Sequence, residues 1–288
     1  VANNDMLTAI DLRLFDAGYC QHPQLVVLRN GRLKPMRFPA MFALIVHPTE
    51  GAILFDTGYS LNFFELTQHF PERLYALVTP VHVEPQDCAV EKLNTVGITA
   101  RDVRHIVISH FHADHIGALS DFPQATYWFH ERAWNAVQHL GRWRAVFKGF
   151  LAELIPPDFR QRSRPIQSSA AIDLSSHFSP FAQGYDLFGD KSLIAVELPG
   201  HACGQLGLFL QTRQGRRVFL AADACWTSQS YREQIMPHPM TKILFSDSGL
   251  YQRTLHHLQQ LAAADPNLLI APSHCPEIHD QFCDRGLL

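Results

Sequence analysis

Four side chains able to ligate a metal stand in one short stretch, Ser109-His110-Phe111-His112-Ala113-Asp114-His115. Neutral imidazole and carboxylate oxygen are the donors that hold zinc, iron and manganese at catalytic sites. Residues two apart in an extended segment point the same way, so His110 and His112 can converge on one ion. Asp114 and His115 come once the chain turns, and they can face a second. Phe111 points away from the ligands and is expected to pack. Four more candidates stand apart, and each closes an apolar run. Asp56 follows Ile53-Leu54-Phe55, His201 follows the run at 193–198, Asp223 the run at 217–222, and His274 follows Leu268-Leu269-Ile270-Ala271. Loops at the ends of core strands are where a rigid scaffold places reactive groups.

The elements that must position these groups alternate along the chain. Periodicity predicts strands at 7–15, 25–29, 40–47, 51–55, 105–108, 125–129, 193–198, 206–211, 217–222 and 268–271. It predicts helices over 61–79, with a break at Pro71, and over 86–96, 130–140 and 247–263. Asn30-Gly31 is a hairpin turn signal, and a second turn is expected from Pro48 to Gly51. The stretch 141–190, with Arg142-Trp143-Arg144, Pro156-Pro157 and a Ser-rich run at 168–176, reads as a helical and loop insertion within one domain spanning 1–288. Its aromatic residues Phe147, Phe150, Phe159, Phe178, Phe181 and Phe188 could line a pocket or pack the insertion on the core.

Composition narrows the function. With 47% hydrophobic residues among 288, the chain can bury a sizeable core and is not disordered. Lys+Arg 24 against Asp+Glu 27 leaves no basic surplus for a nucleic-acid backbone. No run approaches the length of a membrane span, so neither nucleic acid nor membrane is an expected partner. The irregularly spaced cysteines read as reduced thiols of a cytoplasmic protein. No signal peptide is visible, although a first residue other than Met leaves room for a processed, exported form. Cys203, Cys225 and Cys275 lie close to candidate ligands and read as small buried hydrophobes. The remaining histidines, His47, His105 and His130 among them, read as surface or packing residues.

Taken in order, Asp56, His110/His112/Asp114/His115, His201 in Leu-Pro-Gly-His, Asp223 in Leu-Ala-Ala-Asp and His274 in Ala-Pro-Ser-His resemble the metallo-β-lactamase superfamily over nearly the whole chain. The resemblance implies an α+β chain folded as a four-layer αββα sandwich of two mixed sheets, with the site at one edge. It implies two divalent metal ions, zinc first, with iron or manganese also suited to the donors. His110, His112 and His201 would hold one ion, and Asp114, His115 and His274 the other. Asp223 would bridge them, and Asp56 would orient a ligand histidine. The implied nucleophile is a hydroxide shared by the ions, with Asp114 also able to pass a proton to the leaving alkoxide.

Within the superfamily the chain looks closest to the quorum-quenching lactonases that open N-acyl homoserine lactones, through Pro199-Gly200-His201-Ala202-Cys203-Gly204-Gln205 and Asp223-Ala224. The commonest class of true β-lactamases carries Cys where this chain has Asp223. One departure from the lactonases stands out. They usually carry, three residues after the bridging Asp, a Tyr that helps hold the lactone carbonyl, and here that residue is Trp226. Trp226 could donate its indole N–H or form an apolar wall, and Tyr231 could supply the missing phenol. The loop from Tyr19 to Pro39, with Met36 and Phe38, and His238 in a later loop are expected at the substrate mouth. The expected function is hydrolysis of a lactone or ester-like small molecule. The alternatives are a thioesterase, aryl-esterase or phosphotriesterase of the same fold, an iron-bound redox enzyme, or a non-catalytic ligand-binding member. A homodimer through 141–190 is a further expectation.

Overall fold

The computed structural model describes residues 8–288, so position 7 of the first expected strand lies outside the described residues. Thirteen strands follow: β1 (Ala9–Pro23), β2 (Pro35–His47), β3 (Gly51–Phe55), β4 (Val81–His82), β5 (Val103–Val107), β6 (Thr126–Phe129), β7 (Ser163–Pro165), β8 (Ala170–Asp173), β9 (Gln183–Asp186), β10 (Ile194–Glu197), β11 (Leu206–Thr212), β12 (Arg217–Ala222) and β13 (Leu269–Pro272). One mixed layer runs β7-β6-β5-β3-β2-β1, with β4 on the outer side of β1. The second runs β8-β9-β10-β11-β12-β13, and the first residues of β1 join it by pairing parallel with β11.

Strand alternation sorts the side chains into two faces. Leu12, Leu14, Ala43, Ile45, Ile53 and Phe55 face Leu208, Leu210, Val218 and Leu220 across the space between the layers. On the outer face of the first layer, Phe42, Leu44, Leu54 and Ile106 pack beneath Phe63, Leu93 and Ala133 of the covering helices. On the outer face of the second, Phe209, Phe219 and Ile270 lie against Leu255, Leu258 and Leu261 of the helix Ser248–Ala264. Asp247 caps that helix by accepting from the N–H groups of Gly249 and Leu250 at 2.8 and 2.9 Å. Helix, sheet, sheet and helix thus form the four layers expected from the sequence. Among the described residues no helix is long and apolar enough to cross a membrane.

Two expectations change. The run 25–29 is a turn of helix, Gln24–Val27, rather than a strand. β1 keeps its ladder with β2 until Pro23 stands opposite Pro35, so the residues between must close a hairpin. Pro23 has no N–H for the ladder, and Gly31 then donates to the Leu28 carbonyl at 2.7 Å to complete the turn. The stretch 141–190 is more than helix and loop. It holds the helix Arg142–Phe147, but it also gives β7 to one layer and the hairpin β8–β9 to the other. These strands have three or four residues, too few to show a period.

The topology gathers the site. β3 and β5 are parallel, with Phe55 opposite Val107, and β12 and β13 are parallel, with Ala222 opposite Pro272. Asp56 and the His110 loop therefore leave one layer at the same edge, and Asp223 and His274 leave the other. Cross-layer backbone bonds join these edges, from Met41 N–H to the Ser273 carbonyl at 3.0 Å and from Leu206 N–H to the Ser109 carbonyl at 2.9 Å.

Candidate metal centre

The loops that carry the ligands hold unusual backbone. Asp56 and Ala222 have φ of +61° and +46°, in the left-handed region. Asp tolerates that conformation, whereas at Ala222 it costs about 1 kcal/mol. The turn at Ala222 swings Asp223 out of β12 toward the edge. Gly200 has φ of +129°, and a Cβ there would stand 2.1 Å from the Tyr251 backbone nitrogen, so only glycine lets the chain bring His201 in over the long helix.

Seven side chains converge. Donor atoms of His110, His112, His201 and Asp223 lie within 4.8 Å of one another, and so do those of Asp114, His115 and His274. Asp223 links the groups. Its Oδ2 is 3.2 Å from His201 Nε2, while its Oδ1 is 3.3 Å from His115 Nε2 and 3.1 Å from His274 Nε2. Asp114 Oδ2 stands 3.2 Å from His274 Nε2. Three of the imidazoles are aimed from behind through Nδ1. Asp56 Oδ2 sits 2.7 Å from His115 Nδ1, Ser109 Oγ 3.0 Å from His110 Nδ1, and the Pro39 carbonyl 2.7 Å from His274 Nδ1. Asp56 in turn accepts from Ser109, from N–H at 2.8 Å and from Oγ at 2.7 Å.

The donors fit a pair of cations. His110 Nε2, His115 Nε2 and Asp223 Oδ1 are buried and have no hydrogen-bond partner, a costly state for polar atoms unless they hold something between them. The electrostatics agree. Burial, with the neighbouring imidazoles, drives His110 well below the usual histidine range, His112 to about 4 and His201 to about 3. These rings are neutral, as ligation requires. Burial opposes a charge on His115 too, but Asp56, Asp114 and Asp223 outweigh it and raise that ring to about 10. Asp223 and Asp114 likewise raise His274 well above its ordinary value against burial. Despite burial, the surrounding imidazoles hold Asp114 at about 2 and Asp223 well below the carboxylate range. Carboxylates that hold protons on two imidazoles this strongly would hold dications in their place.

A cavity of about 440 Å³ opens over the cluster. His112, Asp114, His201, Asp223 and His274 form its floor, and Phe38, Leu74, Val78, Val146, Phe147 and Leu244 contribute apolar wall. Of the expected pocket residues, Phe38, Trp226 and His238 line it. Trp226 does so without a free donor, because its Nε1 donates to Asp223 Oδ2 at 2.8 Å. Tyr231 and Met36 are corrections. Tyr231 is buried beside Leu255 and Leu258 under the second layer, since the helix Ser228–Glu233 turns it inward. Met36 packs on the first core, opposite His22 in the β1–β2 ladder. Among the six phenylalanines of 141–190 only Phe147 reaches the cavity. Phe159 packs with Phe111 and Trp134, Phe178 and Phe181 with Phe209, and Phe188 with Trp128. Cys225 and Cys275 are buried, and Cys275 accepts from Ser228 N–H at 3.2 Å. His47 and His130 pair with Asp190 and Glu197 outside the site.

Sequence reasoning missed several groups. Ser109 was read only as part of the motif, yet it ties Asp56 to His110. Cys20, His22, Tyr59 and Tyr75 also line the cavity. Burial, with the charge of Asp114 adding to it, pushes both phenols well above their ordinary range, so they remain neutral donors. Tyr59 followed a turn signal and Tyr75 lay in a helical pattern, and neither context marks a site residue.

The metallo-beta-lactamase superfamily profile matches residues 38–274, ending on the last histidine of the cluster. The chain belongs to this superfamily. Among curated relatives it is 28% identical to the N-acyl homoserine lactonase AttM of Azorhizobium caulinodans and 27% identical to AttM of Agrobacterium fabrum, each over 74% of both chains. Among solved structures it superposes with a TM-score of 0.75 on an N-acyl homoserine lactone hydrolase holding N-hexanoyl-L-homoserine at its catalytic metal centre, at 20% identity over 98% of this chain and 100% of that one. AidC, a dizinc quorum-quenching lactonase, superposes with a TM-score of 0.62 at 15% identity, over 98% and 90%. These two likenesses establish the metallo-β-lactamase fold.

Proposed function

We propose that this protein is a metal-dependent hydrolase that opens the ring of an N-acyl homoserine lactone or a close relative. The observation that carries the reading is Asp223, with one oxygen toward His201 and the other toward His115 and His274. That arrangement suits a carboxylate bridging two cations at the floor of an apolar cavity. The AttM relatives, and the lactonases that share the fold, support the choice of lactone. His110, His112, His201 and Asp223 would hold one ion, and Asp114, His115 and His274 with Asp223 the other. Zinc suits this donor set, and AidC is a dizinc relative; iron and manganese are accepted by the same donors. Bound there, two divalent ions supply Lewis acidity for a carbonyl and lower the pKa of water toward neutrality.

The chain's own residues do the rest. Trp226 fixes the rotation of the Asp223 carboxylate through its indole N–H. Asp56, Ser109 and the Pro39 carbonyl hold three rings at fixed angles. Asp114 opens on the cavity and is placed to take a proton from the attacking water and return it to the departing ring oxygen, giving the hydroxy acid. Leu74, Val78, Val146 and Phe147 accept an apolar acyl chain and keep bulk water from the reacting carbonyl. The unpaired thiols of all six cysteines support a reducing, cytoplasmic setting.

The test is a hydrolysis panel with zinc-loaded protein over N-acyl homoserine lactones, aryl esters, thioesters and phosphotriesters. The reading expects kcat/KM for lactones to lead the others by about tenfold or more. A thioester or phosphotriester in first place would overturn it.

A further inference from the structure

With Trp226 committed to Asp223, the cavity needs another donor to orient a polar substrate. The hydrogen-bonding side chains of its lining, apart from the metal donors and Trp226, are Cys20, His22, Tyr59, Tyr75, Thr79, His238 and Thr241. His238 Nδ1 accepts from the Met240 N–H, and Thr241 donates to the His238 carbonyl at 2.7 Å, so that group is engaged in its own turn. The two phenols differ from the rest. Tyr59 and Tyr75 are 1% and 9% exposed, and their rings lie against the two sides of Phe63, at 5.5 and 5.4 Å. Tyr59 stands beside Cys20 and Tyr75 on this lining, close enough to interact with both. Tyr59 can thus donate to the Tyr75 oxygen and leave the Tyr75 proton for the cavity.

The position of Tyr75 indicates what it would hold. Leu74, Tyr75 and Val78 all line the cavity from the short helix Arg73–Val78. Arg142 fixes the start of that helix with a two-pronged contact to Glu72, at 2.9 and 2.6 Å. A lactone whose ring carbonyl lies on the floor carries its substituent upward along this wall. The first polar group it meets there is an amide carbonyl.

We infer that Tyr75, backed by Tyr59, donates a hydrogen bond to the acyl-amide oxygen of the substrate and so selects N-acylated lactones over lactones with a plain alkyl substituent. This rests on the lactonase reading above. It assigns the choice of substrate to the wall formed by the helix Arg73–Val78, by residues outside the metal cluster.

The experiment compares an N-acyl homoserine lactone with a γ-alkyl lactone of similar chain length that lacks the amide, using wild type, Tyr75→Phe and Tyr59→Phe, all zinc-loaded. Tyr75→Phe is expected to lower kcat/KM for the N-acyl lactone about tenfold, mostly through KM. Its loss on the alkyl lactone should be less than about threefold, and Tyr59→Phe should show a smaller loss with the same bias. A purely structural role would lower both substrates equally. Equal losses on the two lactones, or none on either, overturn the inference. Should Tyr75→Phe fail to fold, Tyr59→Phe decides: a loss biased toward the N-acyl lactone supports the inference, and equal losses on the two lactones, or none, overturn it. A wild type that opens neither lactone refutes the lactonase reading itself, and this inference with it.

Discussion

The indole N–H of Trp226 donates to Asp223 Oδ2 at 2.8 Å, so the residue three positions after that carboxylate has its donor engaged by the carboxylate. A hydrogen bond to a charged acceptor is worth about 2 kcal/mol, and here it sets which way both carboxylate oxygens face. Trp226→Phe is therefore expected to lower kcat/KM roughly tenfold and to weaken metal retention. Steady-state kinetics beside chelator competition would check it. A variant with unchanged metal retention and activity would show that the contact carries nothing.

Asp56 acts on the cluster through His115. Asp56→Asn keeps the shape but removes the charge that faces His115 Nδ1 at 2.7 Å. Metal affinity should fall roughly 10- to 100-fold, by the usual effect of such partners. Titration with a competing chromogenic chelator would resolve this, and the loss should fall on one ion of the two.

Gly149 tests the packing around a ligand. Its φ is +64°, and a Cβ there would stand 3.1 Å from His112 Cδ2. Gly149→Ala should strain the turn after Phe147 by about 1 kcal/mol and displace the His112 ring. Activity is expected to fall more than stability, read as kcat/KM against the denaturation midpoint.

Metal removal should show in stability as well as activity. Ions bound only by the folded chain stabilise it by mass action, about 4 kcal/mol for free metal a thousandfold above its Kd. Chelation followed by gel filtration should lower the melting temperature by roughly 8 °C or more. Readdition of zinc should restore it.

A separate pH dependence arises away from the site. His279 Nε2 lies 3.7 Å from Asp16 Oδ1. The Asp16 carboxylate, helped by Asp280 and against some burial, raises His279 from 6.5 to about 9. Burial pushes Asp16 up, but His279 and Lys92 outweigh it and bring Asp16 to about 2. The His279 contribution is complete below pH 6.5 and is lost as pH rises through about 9. The Asp16 contribution is complete above 3.8 and is lost as pH falls through about 2. The His279 ring is 34% exposed, so the pair is worth at most about 1 kcal/mol. Urea denaturation of wild type and His279→Gln should differ by that amount near pH 5 and converge by about pH 10.

The candidate metal-holding residues were legible because His110, His201, Asp223 and His274 each follow an apolar run, with His112, Asp114 and His115 close behind the first, and parallel pairing brings such strand ends to one edge whatever lies between them. The helix at 247–263 was legible from its period, and the structure adds the Asp247 cap at its start. What the sequence hid depends on side-chain direction. Trp226 stands just before the helix Ser228–Glu233 and Tyr231 within it, yet one lines the cavity and the other faces the second layer's core. The support of His274 by the Pro39 carbonyl joins positions 235 apart and involves no side chain of Pro39. The short strands β7, β8 and β9 are set by their pairing with β6, with each other and with β10 rather than by any period of their own.

The most direct test of the central claim is a metal titration of the stripped protein, with lactone hydrolysis and elemental analysis read together. The account predicts that activity climbs to a plateau at two ions per chain. Full activity in protein carrying well under one ion per chain would contradict it.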